Sequence, residues 1–162
     1  MSQMSETLTQ LEKYAEEAGT KITPLRKNES LVEVVQDRLE PFLGHLVNDL
    51  QIRHLMTITG LDLGQNLGIT YEFFKERDTI HVRLLVPKTK PQAASIVNIV
   101  PGAILYEMEL QDMFGIEFIG NPWKDHKLLL PDEWPADLPP PLLKTTKADQ
   151  IRRRLGLEAA KP

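Results

Sequence analysis

Carboxylates are the side chains of this sequence that could do the most chemistry. Glu107, Glu109 and Asp112 fall within six residues. On a helix, Glu109 and Asp112 share a face and Glu107 lies on a different side. Paired carboxylates can divide general acid and general base work when their pKa values differ. Because no histidine, nucleophile or metal motif lies nearby, we interpret them as a structural acidic face, with a carboxylate enzyme as the alternative.

Metal and cofactor chemistry finds little support in the remaining residues. The four histidines show neither HxxxH nor HExxH spacing, and the chain has no cysteine for a thiolate nucleophile or an iron–sulfur cluster. Residues 60–68 include glycines but lack the spacing and the lysine of a phosphate-binding loop. Asp62 in that stretch could bind a cation, but we interpret it as a turn or cap residue. We therefore expect no catalytic residue, no bound metal and no cofactor in this chain.

Composition limits the class of protein. The chain has 162 residues, 41% of them hydrophobic, which fits one domain with a hydrophobic core. Its net charge of −4 argues against a basic nucleic-acid-binding protein. There is no apolar run of about 18 residues, so no membrane span is expected. The polar, acidic residues 1–20 do not resemble a signal or transit peptide, and we expect a cytoplasmic location.

Hydrophobic periodicity divides the first 120 residues into elements. Residues 1–19 are predicted as a helix and 20–28 as a linker. Ser30 and Glu33 have the spacing of a capping box, which predicts a second helix with a break or kink near Pro41. That helix would bury Leu31, Val34, Val35, Leu39 and Phe42.

The middle of the chain is predicted to form a sheet. Residues 52–59 are apolar and rich in β-formers, and 69–75 and 79–86 alternate around a short charged turn, as an antiparallel hairpin does. Residues 91–100 are predicted as a helical turn or helix, and 102–114 as a helix with Pro101 at its start and Gly115 at its end. A short strand is expected at 116–119. These elements indicate an α+β domain over residues 29–120, after the N-terminal helix and linker of 1–28.

Prolines dominate the chain after Gly120 and predict an extended surface segment over 121–162. Trp123 and Trp134 lie in this segment, where each either packs on its own domain or anchors in a partner. Beyond residue 145, five basic residues face two acidic ones. This end is expected to be a marginal or partner-stabilised basic helix.

A longer pattern carries a family resemblance. The sequence reads Glu107-x-Glu109-x-x-Asp112-Met113-Phe114-Gly115-Ile116-x-Phe118-x-Gly120-x-Pro122, and then Leu128-Leu129-Leu130-Pro131-Asp132-Glu133-Trp134-Pro135. It resembles the signature of the 30 kDa subunit of respiratory complex I and its counterparts in energy-converting membrane-bound hydrogenases and related complexes. Upstream, Thr57-Ile58-Thr59-Gly60-Leu61-Asp62 resembles the strand and turn before the family's hairpin.

The sequence also departs from the family pattern. Met108 stands where the family usually has Arg, and Asn121 replaces a His. The Arg-rich stretch that follows in the family is replaced here by residues 123–127, which contain two lysines. These changes weaken any transfer of particular ion pairs. The short chain and the form L-P-D-E-W-P resemble the hydrogenase-type or archaeal branch more than the longer respiratory subunits.

The resemblance implies a two-layer fold, a mostly antiparallel sheet covered by helices, and a scaffold role without cofactor. It implies that the chain packs against a large subunit with a nickel–iron hydrogenase-like fold, beside iron–sulfur subunits, and that its C-terminal extension runs over that large subunit. The candidate interface residues are then Glu107, Glu109, Asp112, Trp123, Trp134, Leu142, Leu143, Arg152, Arg153 and Arg154.

Two functions within the family remain open at this point. The first is an accessory, non-catalytic subunit of a membrane-bound, ion-translocating hydrogenase or related ferredoxin-linked oxidoreductase, peripheral on the cytoplasmic side of the membrane. The second is the equivalent electron-transport subunit of a quinone-reducing, NADH-type dehydrogenase complex. This chain does not carry the active site in either case, so the large subunit decides between them.

Overall fold

The computed structural model describes residues 6–17 and 20–157 of the chain. The helices are α1 (Glu6–Glu17), α2 (Gln36–Asn48), α3 (Ala103–Phe114) and α4 (Ala148–Arg154). The strands are β1 (Lys21–Arg26), β2 (Glu29–Val34), β3 (His54–Asp62), β4 (Asn66–Lys75), β5 (Asp78–Pro87), β6 (Gln92–Ala94) and β7 (Glu117–Ile119). The predicted helix of residues 1–19 is confirmed over α1, and its remaining residues lie outside the described ranges.

Strands β1 to β5 form one sheet in the order β1-β2-β5-β4-β3. Neighbouring strands are antiparallel except β2 and β5, which run parallel. The predicted hairpin is confirmed as β4–β5, with Tyr71 opposite Val82 and Lys75 opposite Asp78 at the turn. The α+β fold with a mostly antiparallel sheet covered by helices is therefore confirmed.

The core lies between one face of this sheet and helices α1, α2 and α3. Alternate residues of β4 and β5 point into it, as the period-2 pattern predicts. They are fully or almost fully buried: Leu67, Ile69, Tyr71, Phe73, Ile80, Val82, Leu84 and Val86. Helix α2 buries Leu39, Phe42, Leu43, Leu46 and Val47. It continues through Pro41, so the predicted break is wrong.

The predictions for residues 20–35 are wrong. The expected linker contains the edge strand β1, and the expected capping box of Ser30 and Glu33 lies in strand β2. Alternation explains the strand, because Ser30, Val32 and Val34 are buried toward the core and Glu33 is exposed. Strand β1 lies at the edge of the sheet and pairs with β2 alone. Pro24 is tolerated there because no second neighbouring strand needs the backbone N–H that proline lacks.

Residues 91–100 are not a helix. They form β6 and then a turn, and β6 pairs in parallel with β7, Ala93 opposite Phe118. Helix α3 follows as predicted, one residue later than expected, with Gly102 at its N-cap. Gly115 ends it with φ +73°, a left-handed conformation that glycine adopts without steric cost.

The proline-rich residues 120–147 form neither helix nor strand. They turn repeatedly, for example where the N–H of Trp134 donates to Pro131 O and that of Leu138 donates to Pro135 O, 2.9 and 3.0 Å. The segment folds back onto the domain: the N–H of Leu142 donates to Met113 O at the end of α3, 3.0 Å. The short basic helix α4 follows this segment.

Candidate functional site

Helix α3, which carries the first part of the family pattern, is fixed against strand β3 at two points. The Tyr106 hydroxyl donates a hydrogen bond to Met56 O, 3.0 Å. The Phe114 ring lies over Gly60, where a Cβ would stand only 2.4 Å from a ring carbon. Gly60 therefore has to be glycine for this packing, which places the acidic residues of α3 at defined positions.

Glu107 is completely buried inside the domain. Its carboxylate accepts hydrogen bonds from Ser95 Oγ (2.7 Å), Ile96 N (2.7 Å) and Asn121 Nδ2 (2.9 Å). Burial raises the pKa of Glu107, and these three donors oppose that rise. Glu107 thus joins α3 to the end of β6 and to the start of the proline-rich segment.

Asp112 is also buried, and it holds a later part of the same segment. Its Oδ2 accepts hydrogen bonds from three consecutive backbone amides, those of Leu128 and Leu129 at 2.8 Å and Leu130 at 3.1 Å. Three convergent N–H groups form an anion-binding concavity of the kind that backbone nests provide. The first proline-rich turn is therefore fastened to the C-terminal end of α3.

Glu109, by contrast, is exposed. The three acids that stand together in sequence are thus separated: Glu107 and Asp112 bind different groups within the chain, and Glu109 faces solvent. The two buried carboxylates already have internal donors, so they act as structural clamps. The arrangement gives no support to the carboxylate-enzyme alternative.

Asp62 is a third clamp, whereas the sequence predicted a turn or cap role for it. It accepts from Gly64 N at 2.9 Å, from Lys88 Nζ at 2.6 Å to Oδ1, and from Lys144 N at 2.8 Å. The bond from Lys88, followed by those from Gly64 and Lys144, lowers the pKa of Asp62 to about 2. The turn between aspartate and glycine was readable from the sequence, but the contact with Lys144, 82 residues away, was not.

The predicted apolar anchors of the proline-rich segment divide into two kinds. Trp134 is half-buried, with its Nε1 donating to Leu138 O at 3.2 Å, and Leu143 packs on the core. Trp123 and Leu142 are 48% and 55% exposed. Self-packing therefore describes Trp134 and Leu143, and Trp123 and Leu142 present apolar surface to the outside.

The basic end of the chain forms exposed ion pairs within the chain. Arg154 forms hydrogen bonds with both carboxylate oxygens of Asp137, at 3.1 Å each, and Arg152 lies 3.4 Å from Asp149. These pairs are exposed, where ion pairs typically contribute little to stability. Within the part of the chain that the structure describes, no group of three or more His, Cys, Asp or Glu residues could hold a metal ion.

The site is thus a proline-rich segment that buried carboxylates fasten to a small α+β domain, with apolar and basic side chains left on its surface. Residues 32–151 match the family described as respiratory-chain NADH dehydrogenase, 30 Kd subunit. The chain belongs to this family, which confirms the resemblance seen in its sequence. No helix in residues 6–17 or 20–157 is long and apolar enough to cross a membrane.

Several curated relatives are similar to this chain. The C subunit of NADH-quinone oxidoreductase from Acidothermus cellulolyticus is 37% identical over 93 residues, which cover 56% of this chain and 46% of the relative. Its namesake from Roseiflexus castenholzii is 32% identical over 110 residues, 64% of this chain and 63% of the relative. Formate hydrogenlyase subunit 5 of Escherichia coli is 36% identical over 81 residues, 48% of this chain and 14% of the relative. The matched region spans less than two thirds of each relative.

Two solved structures share the fold. One is described as the trypsin-resistant fragment (1–134) of Nqo5; it superposes with a TM-score of 0.64 at 23% identity, covering 72% of this chain and 98% of the fragment. The other belongs to the membrane-bound sulfane sulfur reductase, described as an archaeal respiratory membrane complex. It gives a TM-score of 0.79 at 17% identity and covers 98% of this chain and 96% of that chain.

Proposed function

We propose that this chain is an accessory, cofactor-free subunit of a membrane-bound, ion-translocating redox complex, and that it docks on and stabilises the large catalytic subunit. One observation carries the proposal: three buried carboxylates hold a segment whose exposed side chains include large apolar ones. Asp62, Glu107 and Asp112 use their hydrogen-bonding capacity to position Lys144, Asn121 and residues 128–130. Such pre-organisation lowers the entropy lost when a surface binds its partner.

Exposed apolar side chains on this segment support a docking role. Trp123, Leu128, Leu129 and Leu142 are between 39% and 55% exposed. Tryptophan is enriched among the residues that dominate binding energy at interfaces. In this proposal Trp123 and Leu142 are anchors in the large subunit, and Arg152, Arg153 and Arg154 meet acidic partner surface.

In this proposal a complex of the hydrogenase or ferredoxin-linked kind is the first candidate. This chain and its counterpart in the sulfane sulfur reductase cover one another almost completely, including the proline-rich segment, and formate hydrogenlyase subunit 5 is among the relatives. The relatives from NADH-quinone oxidoreductases favour the second candidate, a quinone-reducing NADH-type dehydrogenase. In either complex we place the chain on the cytoplasmic side of the membrane, held there by its partners.

Purification from the native host tests the proposal. A tagged chain is expressed there, membranes are solubilised in mild detergent, and co-purifying proteins are identified by mass spectrometry. A large hydrogenase-like subunit with iron–sulfur subunits is expected. Two Cys-x-x-Cys motifs in that large subunit would indicate a hydrogenase, and their loss would indicate another acceptor. A chain that purifies alone and shows turnover of its own would contradict the proposal.

A matched pair of variants tests the surface itself. Leu142 and Leu25 are similarly exposed, at 55% and 49%, but Leu25 lies on β1, at the opposite edge of the sheet from β3, whose Asp62 binds the segment at Lys144. Leu142→Ala should reduce recovery of the large subunit at least threefold, and Leu25→Ala should leave it unchanged. Equal recovery with both variants would place the interface elsewhere on the domain. Truncation is a weaker test, since it would also remove the buried Leu138.

A further inference from the structure

A pocket of about 580 Å³ lies between the C-terminal end of α3 and the proline-rich segment. Its lining includes three acidic side chains, two lysines and one tryptophan: Asp112, Glu117, Asp125, Lys124, Lys127 and Trp134. The clamp function of Asp112 accounts for only one of its two oxygens. One carboxylate oxygen of Asp112, which lines the pocket, is therefore not explained by the clamp.

The second oxygen of Asp112 has no hydrogen bond from any described residue. Oδ2 accepts the amides of residues 128–130, whereas Oδ1 is buried and without a hydrogen-bond donor. The Lys127 ammonium stands 3.8 Å from Oδ1, close enough for charge attraction but too far for a hydrogen bond. Asp112 and Lys127 both line the pocket, so this loosely spaced ion pair lies at its wall.

A buried carboxylate oxygen without a donor is costly, and a cation that donates to it directly would remove that cost. Lys127 is not fixed against Oδ1 by a hydrogen bond, and its side chain is 38% exposed, whereas that of Asp112 is inaccessible. A lysine side chain has many rotamers and can move aside. The site is thus able to exchange one cation for another.

We propose that this pocket binds the guanidinium group of an arginine, which displaces Lys127 and donates to Asp112 Oδ1. Arginine suits the pocket better than lysine because its planar fork can donate to a carboxylate and stack on an aromatic ring at once. Trp134 provides that ring, and its bond to Leu138 O holds it in place. Glu117, which is half-buried and also lines the pocket, adds negative charge.

The arginine would come from the large catalytic subunit, and in this respect the inference rests on the proposed function. It adds a specific contact to that function: an arginine inserted beside the apolar anchors, at the point where α3 meets the proline-rich segment. The competing explanation is that Lys127 is simply the permanent, solvent-exposed partner of Asp112. If the pocket binds arginine, removing Lys127 should tighten the binding of an arginine ligand. If Lys127 is the permanent partner of Asp112, removing it should give no such gain.

The test is an NMR titration of the purified full-length chain with N-acetyl-arginine methylamide, followed through the amide resonances of residues 128–130. Saturable shifts are expected in the wild type, and N-acetyl-lysine methylamide should bind at least threefold more weakly. Lys127→Gln should tighten binding of the arginine ligand at least threefold, because it removes the competitor. Lys124→Gln is the matched control: it makes the same charge change in the same pocket and should tighten binding less than twofold.

Asp112→Asn completes the test, since its carbonyl oxygen can keep the amides of 128–130 while its NH₂ group repels the guanidinium at Oδ1. Binding should weaken at least tenfold. Equal binding by Lys127→Gln and Lys124→Gln, or no saturable binding by the wild type and Lys127→Gln, would overturn the inference. If ligand binding fails while a large subunit still co-purifies, the pocket assignment alone is wrong. If the ligand binds but the chain purifies alone, the proposed function is wrong instead.

Discussion

The sheet domain and the proline-rich segment are held together by different forces. The domain has one continuous core in which α1, α2, α3 and the inner face of the sheet bury large side chains. In residues 120–147, Leu138 is the one hydrophobic side chain that is buried. The segment is held instead by hydrogen bonds to buried carboxylates of the domain, which bind residues 121, 128–130 and 144.

This difference separates stability from positioning. Apolar packing is non-directional and stabilises the domain as a whole, whereas each carboxylate fixes a few backbone groups. A segment with few buried apolar contacts is expected to open at lower free energy than the core. Substitutions in the core should therefore lower the stability of the whole domain, whereas substitutions in the segment should have local effects.

The largest effect is expected in the core. Val82 is completely buried, between Val32 of β2 and Tyr71 of β4. Val82→Asp places a charge there without a partner and should cost on the order of 4 kcal/mol or more of unfolding free energy. Leu85→Asp, on the same strand but 45% exposed, is the control and should change stability little. Chemical denaturation measures both, and equal losses would show that the assigned faces are wrong.

The sequence allowed the domain to be predicted much better than the segment. Alternation gave the hairpin of β4 and β5, and Pro101 with Gly115 gave the two ends of α3, because these signals are local. Residues 29–34 misled, since Ser30 and Glu33 have capping-box spacing but face opposite sides of strand β2. The short strand β6 was missed because its partner β7 lies 25 residues later, from Gln92 to Glu117.

The candidate site was predictable only in part for the same physical reason. The family pattern drew attention to Glu107 and Asp112, and residue type explains why buried acids need donors. Their partners are Ser95, Asn121 and backbone amides, 11 to 18 residues away, and nothing in the local sequence specifies these contacts. Asp62 was placed in a turn correctly, but its role in holding Lys144 depends on the folded chain.

A smaller, local effect is expected at Asp112. Asp112→Ala removes the acceptor of three amides and should lower the free energy of unfolding by about 1–3 kcal/mol. The loss stays in this range because residues 128 and 129 are exposed, so water can accept from their amides instead. Hydrogen exchange should accelerate at residues 128–130 and stay unchanged in strands β4 and β5. Uniform acceleration over the whole domain would mean that the segment and the core unfold as one unit. That result would remove the distinction between the two regions.

Acid should have opposite effects on the clamps at Asp62 and Glu107. The pKa of Asp62 is lowered to about 2 from the usual 3.8. The contribution of Asp62 to folding stability is therefore present above pH 3.8 and is lost as the pH falls toward 2. Burial raises the pKa of Glu107 above the unfolded value of 4.5. The contribution of Glu107 to folding stability is therefore greatest below pH 4.5 and declines as the pH rises. NMR of the Lys144 amide between pH 6 and pH 2 should follow the first change.

Asp62→Asn is the control for this pH dependence, since the amide side chain does not titrate. The Lys144 amide shift should then be constant over the same range. A shift that still titrates in Asp62→Asn would assign the pH dependence to another group, and the clamp at Lys144 would have to be explained without Asp62.

The smallest effect on the isolated chain is expected at Glu109. It is the exposed member of the three acids on α3, so Glu109→Gln should change unfolding free energy by less than about 0.5 kcal/mol. Any consequence should appear only in assembly, as a lower yield of the complex, if Glu109 pairs with a basic group of the large subunit. Glu40→Gln, an equally conservative change at an exposed position of α2, is the control for both measurements. A variant that assembles fully and keeps its stability but loses turnover would contradict the scaffold role and return the acidic helix to consideration as catalytic.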